Sequence, residues 1–262
     1  MPLDAGYHWM MLNDYDRNAA YRAAIRRAAP GRVVYDLGAG VGTMSYYALR
    51  AGARRVYGFE VDRGAHSYLA KLRRVFPQFV PLRTDLRRGR LPSEKPDVVV
   101  CEMWSAWLVE WPMVRVLNRI RRMAPSSLTI PARGYHVVQL VYIAHRARVP
   151  LEVTPGTAAG VYDENFATAE MSLPALACAT DFHDPVGPVD AEVSLVPLTS
   201  GIVNGVRLYS YEEVSPGGIL PRIGTRKDEI LRWIRPQRVT RGRRLRIRIE
   251  HRWEASPRLR VE

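Results

Sequence analysis

The stretch Val33-Val34-Tyr35-Asp36-Leu37-Gly38-Ala39-Gly40-Val41-Gly42-Thr43 reads as a strand, a tight turn and the start of a helix. Its first part is apolar and β-branched, the pattern of a strand covered on both faces. Three glycines at alternate positions let the backbone turn sharply and approach a ligand without side chains in the way. The helix that follows offers free N–H groups and the positive end of its dipole to an anionic group. An acid precedes the first glycine, and the spacing G-x-G-x-G differs from the G-x-G-x-x-G of dinucleotide-binding chains.

A second apolar run, Arg55-Val56-Tyr57-Gly58-Phe59-Glu60, ends in an acid. A carboxylate at the tip of the second strand can accept from both hydroxyls of a ribose, which makes Glu60 a cofactor-binding candidate. A third run spans Phe79 to Thr84, with Asp85 and Leu86 behind it. A fourth, Pro96 to Cys101, is followed by Glu102, and a fifth lies within Ser126 to Ala132. Helices are expected over Asp14 to Ala29, Gly42 to Ala51, Gly64 to Val75 and from Pro112 to Ala124. Strands alternating with helices predict a parallel sheet, and the acids at the strand ends then gather at one edge.

With Asp36, Gly38, Gly40, Gly42 and Glu60 in this order, the chain resembles the class I S-adenosylmethionine-dependent methyltransferases. Further residues narrow the resemblance to the protein arginine methyltransferases. The segment His8-Trp9-Met10-Met11-Leu12-Asn13-Asp14-Tyr15-Asp16-Arg17 is similar to the one that precedes the glycine turn in that family. Trp9 and Met10 stand where the family has two glutamates. The resemblance implies that His8 and Arg17 contact the cofactor, Arg17 through its methionyl carboxylate. It places adenine at Asp85 and Leu86, with Arg87 where the family carries a glutamate. It makes Glu102 and Glu110, either side of Met103-Trp104-Ser105-Ala106-Trp107, the pair of acids that hold the substrate. These acids are one position closer than the family's.

Two acids suit a guanidinium. It stays protonated at neutral pH and presents planar forked donors, so carboxylates can hold it bidentately. Clamping two nitrogens leaves the third to act as nucleophile, and Trp104 and Trp107 are candidate aromatic walls. The expected function is methyl transfer from S-adenosylmethionine to an arginine nitrogen of a protein. Alternatives with the same cofactor are a lysine, RNA or small-amine acceptor, or a non-catalytic scaffold.

After Ala132 the pattern changes to short alternating runs rich in Pro and Gly. The expected organisation is a Rossmann-like methyltransferase domain over residues 1–132, then a mostly antiparallel β-barrel or sandwich domain over 133–262. The family's β domain carries a Thr-His-Trp loop, whereas Gly224-Thr225-Arg226-Lys227-Asp228 has no His-Trp pair. Val161-Tyr162-Asp163 resembles the start of the family's dimerisation arm, which is short here; a homodimer is one expectation.

Composition bounds the rest. The chain has 262 residues, nearly half of them apolar, enough for a sizeable core. Two cysteines and scattered histidines give no metal site. No apolar run reaches membrane-spanning length and no signal peptide is visible, so a cytoplasmic protein without a membrane partner is expected. The net charge is +13, carried by 36 arginines and only Lys71, Lys95 and Lys227. The last 37 positions hold 13 basic and 5 acidic residues, and Arg244 to Ile249 alternates arginine with apolar side chains. That basic face is a candidate surface for nucleic acid.

Overall fold

The computed structural model describes residues 5–109, 112–145, 158–159, 166–220 and 229–262. Two helices, α1 (Ala5–Leu12) and α2 (Tyr15–Ala28), lead into β1 (Val33–Leu37). Then follow α3 (Thr43–Arg50), β2 (Arg55–Phe59), α4 (His66–Val75), β3 (Phe79–Leu82), β4 (Val98–Cys101), α5 (Met113–Met123) and β5 (Leu128–Ile130). The β-rich half contains β6 (Arg133–His145), β7 (Ala158–Ala159), β8 (Phe166–Glu170), β9 (Ala175–Asp181), β10 (Val189–Leu195) and β11 (Gly201–Ser215). It closes with β12 (Gly218–Ile219), β13 (Glu229–Val239), β14 (Leu245–His251) and β15 (Arg258–Val261). The short helix α1 has no counterpart among the helices read from sequence. Its eight residues include Trp9, Met10 and Leu12 in exposed positions, so no apolar periodicity marks it.

The first five strands form a parallel sheet in the order β3-β2-β1-β4-β5. β1 is buried along its whole length because helices cover both faces of the sheet. Val34, Val56 and Val98 pack with Tyr21, Ile25 and Leu49 on one side. Tyr35, Phe59 and Val99 pack with Met113, Leu117 and Ile120 on the other. The apolar positions of α5 recur three and four apart, so one face of that helix is buried while Arg115 and Arg122 stay exposed. The strand order reverses between β1 and β4. That is the switch point at which open parallel sheets leave a crevice beyond their carboxyl ends.

The second half is antiparallel. A seven-stranded sheet has β7-β13-β11-β6-β8 as its path, with β9 on β6 and β12 on β11. A three-stranded sheet runs β10-β14-β15. Their inner faces meet in one core, where Val138, Leu140, Val206 and Leu208 of the larger sheet pack with Val193, Leu195, Ile247 and Ile249 of the smaller. This is the barrel- or sandwich-like layering that the short alternating runs predict. Val214 and Leu220, at and beyond the far end of β11, enter the core of the parallel sheet. Among the described residues no helix is long and apolar enough to cross a membrane, and no cluster of ligating side chains could hold a metal ion.

Candidate active site

At the end of β1 the chain leaves the sheet through Gly38, Gly40 and Gly42, all at positive φ (76°, 52° and 93°). The turn has no room for side chains. A Cβ on Gly38 would lie 2.9 Å from Cγ of Met103, and one on Gly40 would lie 2.9 Å from Cε1 of His8. The His8 ring and the Met103 side chain thus border the turn from two directions. Asp36 sits beneath it, fully buried, and accepts the Ser45 hydroxyl of α3 at 2.6 Å. Burial pushes its carboxyl up to about 6. Asp36 therefore ties strand to helix from below.

Glu60 stands at the end of β2, beside the turn. One carboxylate oxygen accepts from Gly40 N at 2.8 Å, and the other from Asp62 N at 2.8 Å. A carboxylate has about four acceptor positions, so each oxygen keeps one for a hydroxyl. Two neighbouring ribose hydroxyls match that remaining capacity.

Arg17 and Glu102 meet across 85 residues of sequence. Nε of Arg17 donates to Oε1 of Glu102 at 2.7 Å, and Nη2 pairs with Oε2, a side-on fork. Nη1 donates to Oδ1 of Asn18 at 3.1 Å and to the Met11 carbonyl at 3.4 Å. Four of the five guanidinium hydrogens are thus engaged, leaving one on Nη2 without an acceptor among the described residues. Burial favours the neutral guanidine, but the field and hydrogen bonds of Glu102 outweigh it and hold Arg17 above its usual value. The expectation that Arg17 serves the cofactor's carboxylate is therefore modified. Two of its donors hold Glu102, two more are tied to Asn18 and Met11, and a single donor remains for an anionic group. That donor, the two open positions of Glu60 and the side-chain-free turn fit S-adenosylmethionine.

The adenine expectation fares differently. Asp85 accepts from the backbone N and Nε of Arg87, from its Nη2 at 2.8 Å, and pairs with Arg88. The Arg87 hydrogen bonds hold its carboxyl down at about 2. This is a self-contained turn, and its local arginines take the acceptor positions an adenine amine would use. Leu86 is buried in the core on the α5 side of the sheet, and its carbonyl accepts from Arg119.

The loop that follows Glu102 departs from the sequence reading at Trp107. Rather than lining a pocket, its indole is fully buried in the core of the β-rich half, and each of its polar groups has a partner there. Its backbone N donates to Ser210 Oγ at 2.9 Å, its indole N to the Val137 carbonyl at 3.1 Å, and its carbonyl accepts from His251 Nε2 at 2.9 Å. Trp107 and Leu108 hold φ of 53° and 52°, a left-handed backbone that bulky residues adopt only when their surroundings impose it. Trp104 is half-buried and packs edge-on against Phe182, with ring centroids 6.3 Å apart. Met11 is half-buried on α1. Glu110, the second candidate acid, lies outside the described residues, as do Val161-Tyr162-Asp163 and Gly224 to Asp228.

Several residues that build this site carry no motif. Tyr21 is fully buried, places its ring 5.6 Å from Cζ of Arg17 and donates its hydroxyl to Glu212 of β11 at 2.7 Å. Glu254 accepts from the backbone N of Arg115 in the first turn of α5 and pairs with the Arg115 side chain at 3.0 Å. Its own N donates to the Leu108 carbonyl. His251 had a legible signal: Leu245, Ile247, Ile249 and His251 share the inward face of an alternating strand.

Comparison with known proteins points to the same fold class. The FtsJ-like methyltransferase family model matches residues 18–126. The uncharacterized protein MJ1452 of Methanocaldococcus jannaschii is 28% identical over 213 residues, 78% of this chain and 76% of that one. Protein arginine N-methyltransferase 1 of Schizosaccharomyces pombe is 30% identical over 136 residues, 49% of this chain and 40% of its own length. A probable histone-arginine methyltransferase 1.3 of Arabidopsis thaliana is 35% identical over 133 residues, 47% of this chain and 24% of its own. The chain thus spans less than half the length of these two curated arginine methyltransferases. A solved chain of the Trypanosoma brucei PRMT1 enzyme-prozyme heterotetrameric complex with AdoHcy has the same fold. Its TM-score is 0.74 at 17% identity, covering 94% of this chain and 88% of that one. In fold and in the motifs around its glycine turn, the chain is a class I S-adenosylmethionine-dependent methyltransferase, similar along about half its length to protein arginine methyltransferases.

Proposed function

We propose that this chain methylates an arginine guanidinium nitrogen of a protein. The observation that carries the reading is Glu102, an acid at the sheet's switch point, held side-on by Arg17 beside the glycine turn. S-adenosylmethionine, when bound, supplies an electrophilic methyl group on a sulfonium. Glu60 would accept from its ribose hydroxyls, and the spare Nη2 donor of Arg17 would be available to its carboxylate. Glu102 accepts donors of the incoming guanidinium on the lone pairs that Arg17 leaves open. That draws positive charge toward the carboxylate and leaves another nitrogen richer in electrons. Burial of the pair keeps Glu102 in one orientation, the requirement for aligning a nucleophile in line with its electrophile.

The reading is tested with S-adenosylmethionine carrying a labelled methyl and three acceptors: an arginine-rich protein, the same sequence with lysine at every arginine, and RNA. Label in the arginine protein alone, lost in Glu102→Gln, supports it. Label in lysine or RNA instead would keep the cofactor and discard the guanidinium clamp.

A self-associated form is a second element of the proposal. An open apolar groove of about 810 Å³ lies behind the glycine turn, lined by Trp9, Leu12, Tyr46, Tyr68, Val75 and Phe76. Trp9 and Val75 are each 69% exposed in the single chain. Light scattering should report more than one copy for the wild type and a single copy for Trp9→Glu/Val75→Glu.

A further inference from the structure

The basic carboxyl-terminal sheet face is less basic than its sequence. On the exposed side of the small sheet Arg248 pairs with Asp190 at 3.0 Å, and Arg246 faces Glu192 at 3.7 Å. Glu250, Arg258, Arg260 and Glu262 alternate beside them, so acids and arginines balance across the face. The uncompensated charge lies elsewhere, where β13 ends and β14 begins.

The segment Arg232 to Arg246 holds seven arginines and no acid. The stretch that pairs with its turn end adds none. β11 pairs Ile202 with Arg238 and Gly201 with Val239, Arg241 N donates to Ser200 Oγ, and Gly242 N to the Pro197 carbonyl. Residues 194 to 206, which supply those neighbours, contain no acid. Arg235, Arg238, Arg241, Arg243 and Arg244 are all exposed, and none has an ion-pair partner among the described residues. Five free guanidinium groups within ten positions repel one another, a cost that a polyanion removes.

The chemistry of this tip favours phosphates. A guanidinium meets a phosphate oxygen pair bidentately. Between the arginines stand Pro236, Gln237, Thr240 and Gly242, with Val239 buried, so residues 235 to 244 carry no aromatic side chain, and the exposed apolar groups beside them are the aliphatic Leu198 and Ile202. The same lack of rings excludes base stacking and makes binding depend on charge alone. The tip is remote from the pocket. Gly201 opens β11 and Glu212 lies toward its other end, roughly 36 Å away at 3.3 Å per residue, and Glu212 is the residue that meets Tyr21. A polyanion held at the tip therefore does not compete with the acids beside the glycine turn.

We propose that the β13–β14 turn, through Arg235, Arg238, Arg241, Arg243 and Arg244, binds the phosphate backbone of nucleic acid without sequence preference. The site is independent of the methyl-acceptor reading and stands or falls separately.

The test is fluorescence anisotropy with labelled 20-nucleotide single-stranded RNA of two unrelated sequences, the matching DNA duplex and poly-glutamate of equal charge, over a range of salt. Five phosphate contacts predict a log–log salt slope of about −3.5 on single strands and about −4.5 on duplex. Arg241→Gln/Arg243→Gln/Arg244→Gln should weaken binding at least tenfold and flatten the slope, leaving cofactor binding and thermal midpoint unchanged. Arg246→Gln/Arg248→Gln, on the balanced face, should change affinity less than twofold. Unchanged affinity in the triple variant overturns the proposal. So does tighter binding of poly-glutamate than of either nucleic acid, which would identify an acidic protein as the partner, or a strong preference between the two RNA sequences.

Discussion

The carbonyl of Trp107 and the imidazole of His251 are 144 residues apart in sequence and 2.9 Å apart in the fold. A carbonyl accepts only, so Nε2 of His251 carries the proton and donates it. Ser210 Oγ takes the Trp107 N–H, which turns its own hydroxyl toward Nδ1 of His136 at 2.8 Å. The loop that begins at Glu102 is thus fastened to the β-rich half through a residue that touches three of its strands. The two histidines that support it are fully buried.

Replacing His251 with leucine should remove the donor and leave a buried carbonyl unsatisfied, at about 1–3 kcal/mol. Methyl transfer should fall while cofactor affinity stays within twofold, because the bond acts on the loop and not on the glycine turn. His251→Gln keeps an N–H donor and should recover much of the loss. Faster hydrogen exchange at residues 103–109 in the leucine variant, with β1 and β2 unaffected, is the matching structural readout.

The same histidines set a pH dependence. Burial lowers His136 to about 3 and His251 to about 4, against an ordinary value near 6.5. Between these limits the unfolded chain binds protons that the folded chain does not. Stability is therefore complete above about pH 6.5 and declines as pH falls toward 4, for His251 by on the order of 2–3 kcal/mol. Asp36 acts oppositely, since its raised value lets the folded state take up a proton between about pH 6 and 4. Denaturant melts of wild type and His251→Gln across pH 4 to 7 should diverge: the variant loses less stability on acidification.

Tyr21→Phe should cost about 0.5–1.5 kcal/mol through a lower urea midpoint with an unchanged slope, because it removes a hydrogen bond to the buried carboxylate of Glu212. The Phe ring still covers Arg17, so cofactor affinity should change much less than stability. Equal losses in both would mean that the hydroxyl shapes the site itself.

In Glu60→Gln the amide NH2 must face either Gly40 N or Asp62 N, two donors opposed. The turn should loosen, and the affinity for S-adenosylhomocysteine measured by calorimetry should drop at least tenfold with the far-ultraviolet circular dichroism spectrum retained. Full affinity would remove Glu60 from the cofactor site.

The parallel sheet was legible because its strands are continuous apolar runs and its ligand edge follows from acids at their ends. Glu60 beside the turn was legible on the same grounds. The Arg17–Glu102 fork was not, since sequence marks both residues as functional without saying that they face each other. Trp107 misled because an aromatic residue near two acids reads equally as a pocket wall or as core, and only the contacts with β6, β11 and β14 decide. The arginine face was legible as alternation, but its neutralising acids Asp190 and Glu192 arrive from a strand more than fifty positions earlier. No local pattern could show that the free charge sits in the adjoining turn.

The most direct measurement is the chemical identity of the product. The protein is incubated with labelled S-adenosylmethionine and an arginine-rich polypeptide, the polypeptide is hydrolysed, and its amino acids are separated. Methylarginine from the wild type, reduced at least a hundredfold in Glu102→Gln while S-adenosylhomocysteine still binds, is the predicted result. Methylarginine formed equally well by Glu102→Gln would contradict the account, as would label confined to lysine.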